Sequence, residues 1–474
     1  MLSSSKHTDI FFVVLWRLLP LSPADLLSTI QTDKRLTTLA AAIKAAGIES
    51  TLAGPGPFTI FAPVDAAFDR EPWADYKVKY LLDPANKDKL TSLLEYHVVS
   101  GAIKSSELSV GESLTTLEGQ DLTVGKNATN TVIDDVTCDS AGLVQADIAA
   151  SNGILHVVDA AFVPNGVFCP DTVFSAEQRG AGRISAYGFA CRRKGFKHLD
   201  SEPAGTKPVG IATDDSNGGS IFWSNDQDYP HGSATSWASG LSYDGSNHHR
   251  VLSNLIDPQG LTTESALKKL YVAEHSGFRL SRSNYDGSDY EILINKPTNQ
   301  TFQPSDVAID ATNGFLFASV EGPEQEGVGY IAQWKMNASG YPDPDSEKIL
   351  VPYGTVHPYG LCVDIIHQDI FYIVGGHGGQ LRCVTYDSTP CHSEGPVVQD
   401  ILNYPYMCAV DSTFVPFGGP TNVVFTQANL PGQIFYTAAT GGDKKNLNRT
   451  DVISNNDLQA PEGVALGCLG SGQW

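Results

Sequence analysis

The sequence predicts a multidomain chain, an α+β domain over residues 25–165 followed by an all-β, six-bladed propeller over residues 170–474. Three observations predict it. At 474 residues the chain exceeds one ordinary core, so two domains, or one plus a large closed repeat, follow from length. Apolar residues at helical spacing, interleaved with short strands, occupy the first third. Beyond residue 165 a tripeptide opening with proline recurs six times, at intervals of 50, 46, 54, 47 and 56 residues.

Composition narrows the class. Hydrophobic residues are 41%, charged residues 18%, and there are 45 Gly and 27 Pro, a globular and turn-rich profile that suits many short strands. The net charge of −22 is spread over both halves, whereas a nucleic acid or anionic bilayer would need a clustered basic face. The densest basic run, Arg192-Arg193-Lys194, is short and reads as a solvated turn. Eight cysteines together with Asn-x-Ser/Thr sequons at Asn127, Asn299, Asn337 and Asn448 point to a secretory route, with disulfides and glycosylation. No Cys-x-x-Cys occurs, so zinc and redox motifs find no support.

Residues 1–24 have two readings. The apolar stretch from Ile10 to Leu21 lies behind Lys6 and His7 and runs into Ser-Pro-Ala, which suits a secretory signal. Arg17 interrupts it and Asp9 precedes it, so a first helix of the following domain is the other reading. It is shorter than the roughly 20 residues of a membrane span, and no later segment is apolar enough for one.

From Asp25 the pattern is helical. Leu36, Leu39, Ile43 and Ala46 share a face, and Gly47 can end that helix in a left-handed conformation. A turn cluster then leads into a short strand from Phe58 to Ala62, after which Asp65 is placed to cap a second helix. Leu90, Leu93, Leu94 and His97 lie on one face of a later helix. His97 reads from the residues alone as a core histidine donating to a backbone carbonyl. The segments TIFAPVDAAF (59–68), the Tyr96-His97 pair of EYHVV, and SNGILHVVDAAFVP (151–164) resemble, in order and spacing, the motifs of a fasciclin-like domain. That resemblance implies an adhesion module of cell surfaces and extracellular matrices without catalytic residues, and a partner-binding role for Tyr96 and His97.

The six tripeptides of the C-terminal region begin at Pro208, Pro258, Pro304, Pro358, Pro405 and Pro461, and each opens a short apolar strand. Second strands follow at 220–225, 268–274, 314–321, 369–375 and 423–427, and Asp-Gly turns at 244–245 and 286–287 support hairpins further out. Four antiparallel strands in about 50 residues make a propeller blade. Six first strands precede only five such sets, and residues 172–199 supply the missing strands two to four. The C-terminal strand from Gly463 to Gly467 is therefore expected to complete the blade begun at residue 172, removing the open sheet edges. These blades resemble the YWTD propellers of the low-density-lipoprotein-receptor group: Ile-Phe-Trp-Ser-Asn and Leu-Tyr-Val-Ala-Glu stand where Tyr-Trp-Thr-Asp would, and Tyr-Asp-Gly-Ser stands twice where Leu-Asp-Gly-Ser would. Lactonase-like and NHL-type propellers remain alternatives.

On this frame Cys383 and Cys391 can bridge one hairpin. Cys362 and Cys408 lie on successive first strands, point to opposite sides of their sheets, and can bridge two blades. Cys468, at the end of the closing strand, lies near Cys169 or Cys191, and such a bond would lock the ring. The loops from second to third strands share a face with the starts of the first strands. They bring Glu177, Asn225, Asp226, Glu274, His275, Glu321, His377 and Asn429 to the channel mouth, joined by Asp306 in place of a repeat glycine. Such a ring could hold Ca²⁺ and polarise an ester carbonyl, as lactonase-like propellers do, or it could be ordinary loop polarity. Asp214, Asp310, Asp364 and Asp411, ending most first strands, read as blade-stabilising acceptors. The function read from these features is a secreted adhesion or matrix-binding protein of the cell surface or extracellular matrix. Its propeller face would meet an extracellular protein or carbohydrate, self-association is open, and a metal-dependent lactonase-like hydrolase is the alternative.

Overall fold

The computed structural model describes residues 23–69, 75–126, 131–136, 140–164, 167–168, 172–178, 182–188, 196–203, 206–216, 219–227, 235–243, 245–297, 302–321, 329–355, 357–375, 377–391, 398–403, 405–411, 413, 416, 421–427, 433–438, 450–454 and 461–467. The helices Leu26–Thr32, Thr37–Ala46, Glu49–Leu52, Asp75–Leu82 and Lys87–Glu95 accompany a seven-stranded sheet. Its second and third strands in spatial order, Phe58–Pro63 and Gly153–Val158, run parallel, and their outer neighbours pair antiparallel. Alternation along these strands makes two cores. Ile60, Ala62, Leu155 and Val157 face the helices, while Phe61 and Val158 face a second cluster with Tyr96 and Phe162. Gly47 ends the helix Thr37–Ala46 with φ 73°, as its spacing led one to expect.

Asp65 behaves differently from the expectation. The residues after it form a short 3₁₀ turn, Asp65–Asp69, and its carboxylate serves the earlier helix instead. The Thr38 N–H donates to Asp65 Oδ1 at 2.7 Å and the Thr37 hydroxyl to Oδ2 at 2.7 Å. Leu36, at the head of that helix, has no acceptor of its own, so the cap comes from a residue distant in sequence. Asn152, in the second fasciclin-like motif, does similar work for two elements. Its Oδ1 accepts from Leu26 N–H at 2.8 Å, and its Nδ2 donates to the carbonyls of Leu52 and Gly54 at 2.8 and 2.9 Å.

The second unit is a ring of six four-stranded antiparallel sheets. In blade 1 the C-terminal strand Pro461–Gly467 pairs with Thr172–Glu177, which continues to Arg183–Gly188 and Phe196–Ser201. Blades 2 to 6 begin with Lys207–Asp214, Pro258–Glu264, Pro304–Asp310, Pro358–Asp364 and Pro405–Asp411. Each first strand contacts the first strands of both neighbours, and the ring closes between Lys207–Asp214 and Pro461–Gly467. Apolar clusters fill all six junctions between blades. Alternation sorts them: in blade 3, Leu270 and Val272 pack toward blade 2, whereas Tyr271 and Ala273 pack toward blade 4.

The recurring proline has a shared geometry. It pairs with a residue at the end of the second strand, and the register then slips by one residue: Pro461 with Glu177, Pro208 with Asn225, Pro258 with Glu274, Pro304 with Val320, Pro358 with Val374 and Pro405 with Gln427. Each first strand thus opens on a β-bulge, where a residue without an N–H is tolerated. Glycine two positions later answers to crowding. A Cβ on Gly210 would lie 2.5 Å from the Gln259 carbonyl oxygen, and one on Gly360 would lie 2.3 Å from that of Tyr406. The first strands therefore crowd together at this end of the channel. At the opposite end the first-strand aspartates tie turns and blades together. Asp214 accepts from Lys268 Nζ at 2.9 Å and Ser265 Oγ at 2.8 Å in blade 3, and Asp310 accepts from the Tyr386 hydroxyl of blade 5 at 2.8 Å.

Both disulfides expected within the propeller are present: Cys362–Cys408 joins blades 5 and 6, and Cys383–Cys391 closes one hairpin. Cys169, Cys191 and Cys468 lie outside the described residues. The Cys362–Cys408 bond spans 46 residues of sequence, so removing it with Cys362→Ala and Cys408→Ala should lower propeller stability by about 2–4 kcal/mol. Urea unfolding of the double variant measures this, and an unchanged midpoint would refute a stabilising role.

Candidate functional site

The ends of the second strands and the starts of the first strands meet at the channel mouth. Strand alternation decides where their side chains go. The residue in register with each proline is turned toward the preceding blade, around the ring rather than toward its axis, as the packing of Leu270 and Val272 shows for Glu274. Glu177, Asn225 and Glu274 occupy this position and are fully buried. Glu274 is saturated, accepting from Ile256 N–H at 2.9 Å, Arg279 Nη2 at 2.6 Å, Ser281 Oγ at 2.7 Å and the Tyr290 hydroxyl at 2.7 Å. Asn225 Nδ2 donates to Glu202 Oε1 at 2.9 Å and to Ser239 Oγ at 3.2 Å, and Ser175 Oγ donates to Glu177 Oε1 at 3.3 Å. These side chains are committed to groups within their own blades and in the connection from the preceding one, and do not converge on one point.

One position further on, the side chain faces the following blade. Asp226 there is buried and accepts from Ser236 Oγ at 3.2 Å. His275 bridges two blades: Nδ1 lies 3.1 Å from Asp257 Oδ2, and Nε2 lies 3.5 Å from Glu321 Oε2 in blade 4. Burial lowers the affinity of this imidazole for a proton, but the bonds and charges of Asp257 and Glu321 outweigh it and raise its pKa to about 9. Asp257 is held well below the usual carboxylate range: burial opposes this, and the bonds from His275, Ser276 and Gln259 overcome it. Ser305 Oγ donates to Glu321 Oε1 at 2.9 Å.

Asp306 lines a channel cavity of about 230 Å³ framed by the first strands of all six blades. Its carboxyl occupies the room left by Gly260, where a Cβ would lie 1.8 Å from Oδ1. Burial pushes its pKa up to about 7 against the pull of the Leu361 and Val307 N–H groups, which donate to Oδ2 and Oδ1 at 2.8 Å each. His377 begins a third strand, His377–Thr385, and its side chain lies outside the described set, as do Asn429, Asn127, Asn299 and Asn448 entirely. Asn337 is exposed in a turn, its Oδ1 accepting from the N–H groups of Ser339 and Tyr341 at 2.9 and 3.0 Å. Among the described residues, one group of acidic, histidine and cysteine side chains is close enough for a single ion, Asp369 with Cys383 and Cys391, and both sulfurs there are in a disulfide.

The fasciclin-like pair is interior. The Tyr96 hydroxyl donates to the Asp121 carbonyl at 2.9 Å and accepts from Val136 N–H at 3.0 Å. His97 Nδ1 lies 2.8 Å from the Leu93 carbonyl oxygen, and Nε2 accepts from Phe162 N–H at 2.9 Å, which fixes the tautomer with the proton on Nδ1. Burial lowers its pKa to about 4, so it is neutral at physiological pH. Sequence reasoning missed Asp257 and Glu202, which sit in the connections leading into first strands, whereas its candidates came chiefly from the ends of second strands. It also missed Tyr359 and Tyr406, although both stand in the proline tripeptides.

Comparison with known proteins supplies an independent line. The fasciclin domain family matches residues 34–164. Protein sll1483 of Synechocystis is 39% identical over 132 residues, which is 28% of this chain and 69% of that protein. The transforming growth factor-beta-induced protein ig-h3 of Sus scrofa is 32% identical over 137 residues, 29% of this chain and 19% of that protein. Among solved structures, the crystal structure of a nidogen/laminin complex aligns with a TM-score of 0.47 and 14% identity, covering 62% of this chain and 98% of that one.

The bridge at His275 carries a pH signature. A histidine raised from 6.5 to about 9 contributes stability that is complete below about pH 6.5 and lost as pH rises through 9. Asp257, depressed, contributes above its ordinary range near 4 and loses that as the solution is acidified. Replacing His275 with Gln should therefore cost about 1–3 kcal/mol at pH 6 and much less at pH 10. Urea melts of both proteins at the two pH values decide it, and an equal cost at both would remove the charged bridge.

Proposed function

Because the chain belongs, through residues 34–164, to the fasciclin domain family, we propose that it is a secreted or cell-surface adhesion protein of the extracellular matrix, whose propeller mouth presents the surface for an extracellular partner. The family match is the observation that carries this reading. The chemistry of the mouth agrees with it. Glu177, Asn225 and Glu274 are turned toward the preceding blade and away from the channel axis, and Glu274 already accepts four hydrogen bonds. A carboxylate so committed is a poor ligand for a catalytic ion, since each bond would have to be given up on binding. Two disulfides suit an oxidising compartment, and among the described residues no helix is long and apolar enough to cross a membrane. Tyr96 and His97, being interior, would support adhesion by holding the fasciclin-like unit in shape.

The test is retention of the full chain on an extracellular-matrix preparation and on cell monolayers, with and without EDTA. Retention that EDTA leaves unchanged is expected, and either no retention or a lactone hydrolysis that EDTA abolishes would overturn the reading. Replacing His97 with Ala orphans the Leu93 carbonyl and the Phe162 N–H, at about 1–3 kcal/mol for each group. Adhesion by His97→Ala should fall only in step with the fraction unfolded. A fully folded variant that no longer adheres would instead assign His97 to partner contact.

A further inference from the structure

We propose that the rim of the propeller channel at Tyr359 and Tyr406, with the cavity beneath it, is a binding site for a single pyranose ring at the end of a glycan. The inference rests on the adhesive reading of this face and names its ligand class. In the proline tripeptides the first residue sits at the bulge and the third, glycine in four of the six, lies where neighbouring strands crowd, so the middle residue is the freest to vary. Going round the ring it is Val209, Gln259, Ser305, Tyr359, Tyr406 and Glu462. Blades 5 and 6 thus place two tyrosines side by side, with ring centroids 5.3 Å apart and planes at 39°. His357 extends the row, nearly parallel to Tyr359 at 18° and 6.4 Å away.

The row is rigid for an identifiable reason. At the position that in blades 3 and 4 carries His275 and Glu321, blade 5 has Gly375. A Cβ there would lie 1.9 Å from Cε2 of Tyr359, so this ring rests on the strand end where a side chain would otherwise stand. Both tyrosines are half-buried and held in place before any ligand arrives, which spares the ordering cost of binding. The faces of such rings are electron-rich and attract polarised C–H groups, of which a pyranose presents a row on one side.

What lies below the rim suits hydroxyl groups. Leu361, two residues past Tyr359, and Met407, the residue after Tyr406, line the cavity of about 230 Å³. That is room for roughly seven waters, comparable to one hexose. Its wall carries Thr213, Thr262 and Thr263, strand-edge backbone and the carboxyl of Asp306. Each Asp306 oxygen accepts one backbone N–H and retains a second lone pair for a sugar hydroxyl. With its pKa near 7 the group can also donate.

Saturation-transfer difference NMR on the full chain, with methyl glycosides of glucose, galactose, mannose, fucose and N-acetylglucosamine as probes, tests the site. Transfer to at least one of them is expected, strongest on the ring C–H protons. Affinity should fall at least tenfold in Tyr359→Ala and in Tyr406→Ala, and be kept in Tyr359→Phe. It should be unchanged in Tyr341→Ala, whose ring stacks on Arg282 at the opposite face. Thermal melts establish that each variant is folded, and Tyr406→Ala carries the test should Tyr359→Ala unfold. No transfer to any glycoside, or undiminished affinity in the folded alanine variants, overturns the inference. Matrix retention measured in parallel separates the two ideas. Retention without sugar binding defeats the glycan site and leaves adhesion standing, whereas tyrosine-dependent sugar binding without retention defeats the adhesive reading alone.

Discussion

The propeller depends on one ladder, the antiparallel pairing of Pro461–Gly467 with Thr172–Glu177. Without it blade 1 would lack its first strand and the ring would have two ends, each an open sheet edge available to other chains. With it, every first strand has a neighbour on either side, and the closing strand is tied across the seam by Thr213 Oγ, which donates to the Leu466 carbonyl at 2.6 Å. Every apolar cluster between blades presupposes this closure, because a blade buries both of its faces only when it has neighbours on both sides. The residues that close the ring lie about 290 positions apart in sequence, which makes this the slowest kind of contact to form and the one most in need of reinforcement.

Close approach at the mouth is the second constraint, and it is what made the architecture readable. Proline is tolerated at the bulge and glycine, in four of the six repeats, fits where the next strand presses in, so both recur at nearly constant spacing. The blade count, the borrowed closing strand and the Cys362–Cys408 bridge followed from that spacing together with strand alternation. The helix ended by Gly47 was equally plain, because its signal is local. Asp65 was not, since a cap supplied to a helix 27 residues upstream leaves no local mark, and the residues after Asp65 satisfy the usual pattern of a capped helix without forming one. Proximity in sequence misled at the mouth as well. Glu274 and His275 are adjacent, but alternation turns one toward blade 2 and the other toward blade 4.

A different economy holds in the fasciclin-like unit. Its sheet is covered on both faces, and several polar residues of its motifs are spent inside. Asn152 joins the start of one helix to the end of another, His97 joins a helix carbonyl to the N–H of Phe162, and outside the motifs Asp135 accepts from Val163 N–H at 3.0 Å. Each bond satisfies a backbone group that burial would otherwise leave unpaired, at a cost of a few kcal/mol. Motif residues in this unit are therefore recognisable because they are architectural.

The same division runs through the propeller and explains where its specificity can reside. Positions that set the bulge, the close approach and the blade junctions admit few residues, and the acids of the first strands are bound to turns and neighbouring blades. The middle residue of each proline tripeptide carries none of these duties, and the residue just past each second strand carries few. At those two positions the blades differ most: a charged bridge of His275 with Asp257 and Glu321 spans blades 3 and 4, and an aromatic row spans blades 5 and 6. Gly375 links the two positions, since the side chain it lacks would stand where Tyr359 lies. A sixfold scaffold built from near-identical constraints can therefore present an asymmetric face, because these two positions set neither the bulge nor the close approach of the first strands.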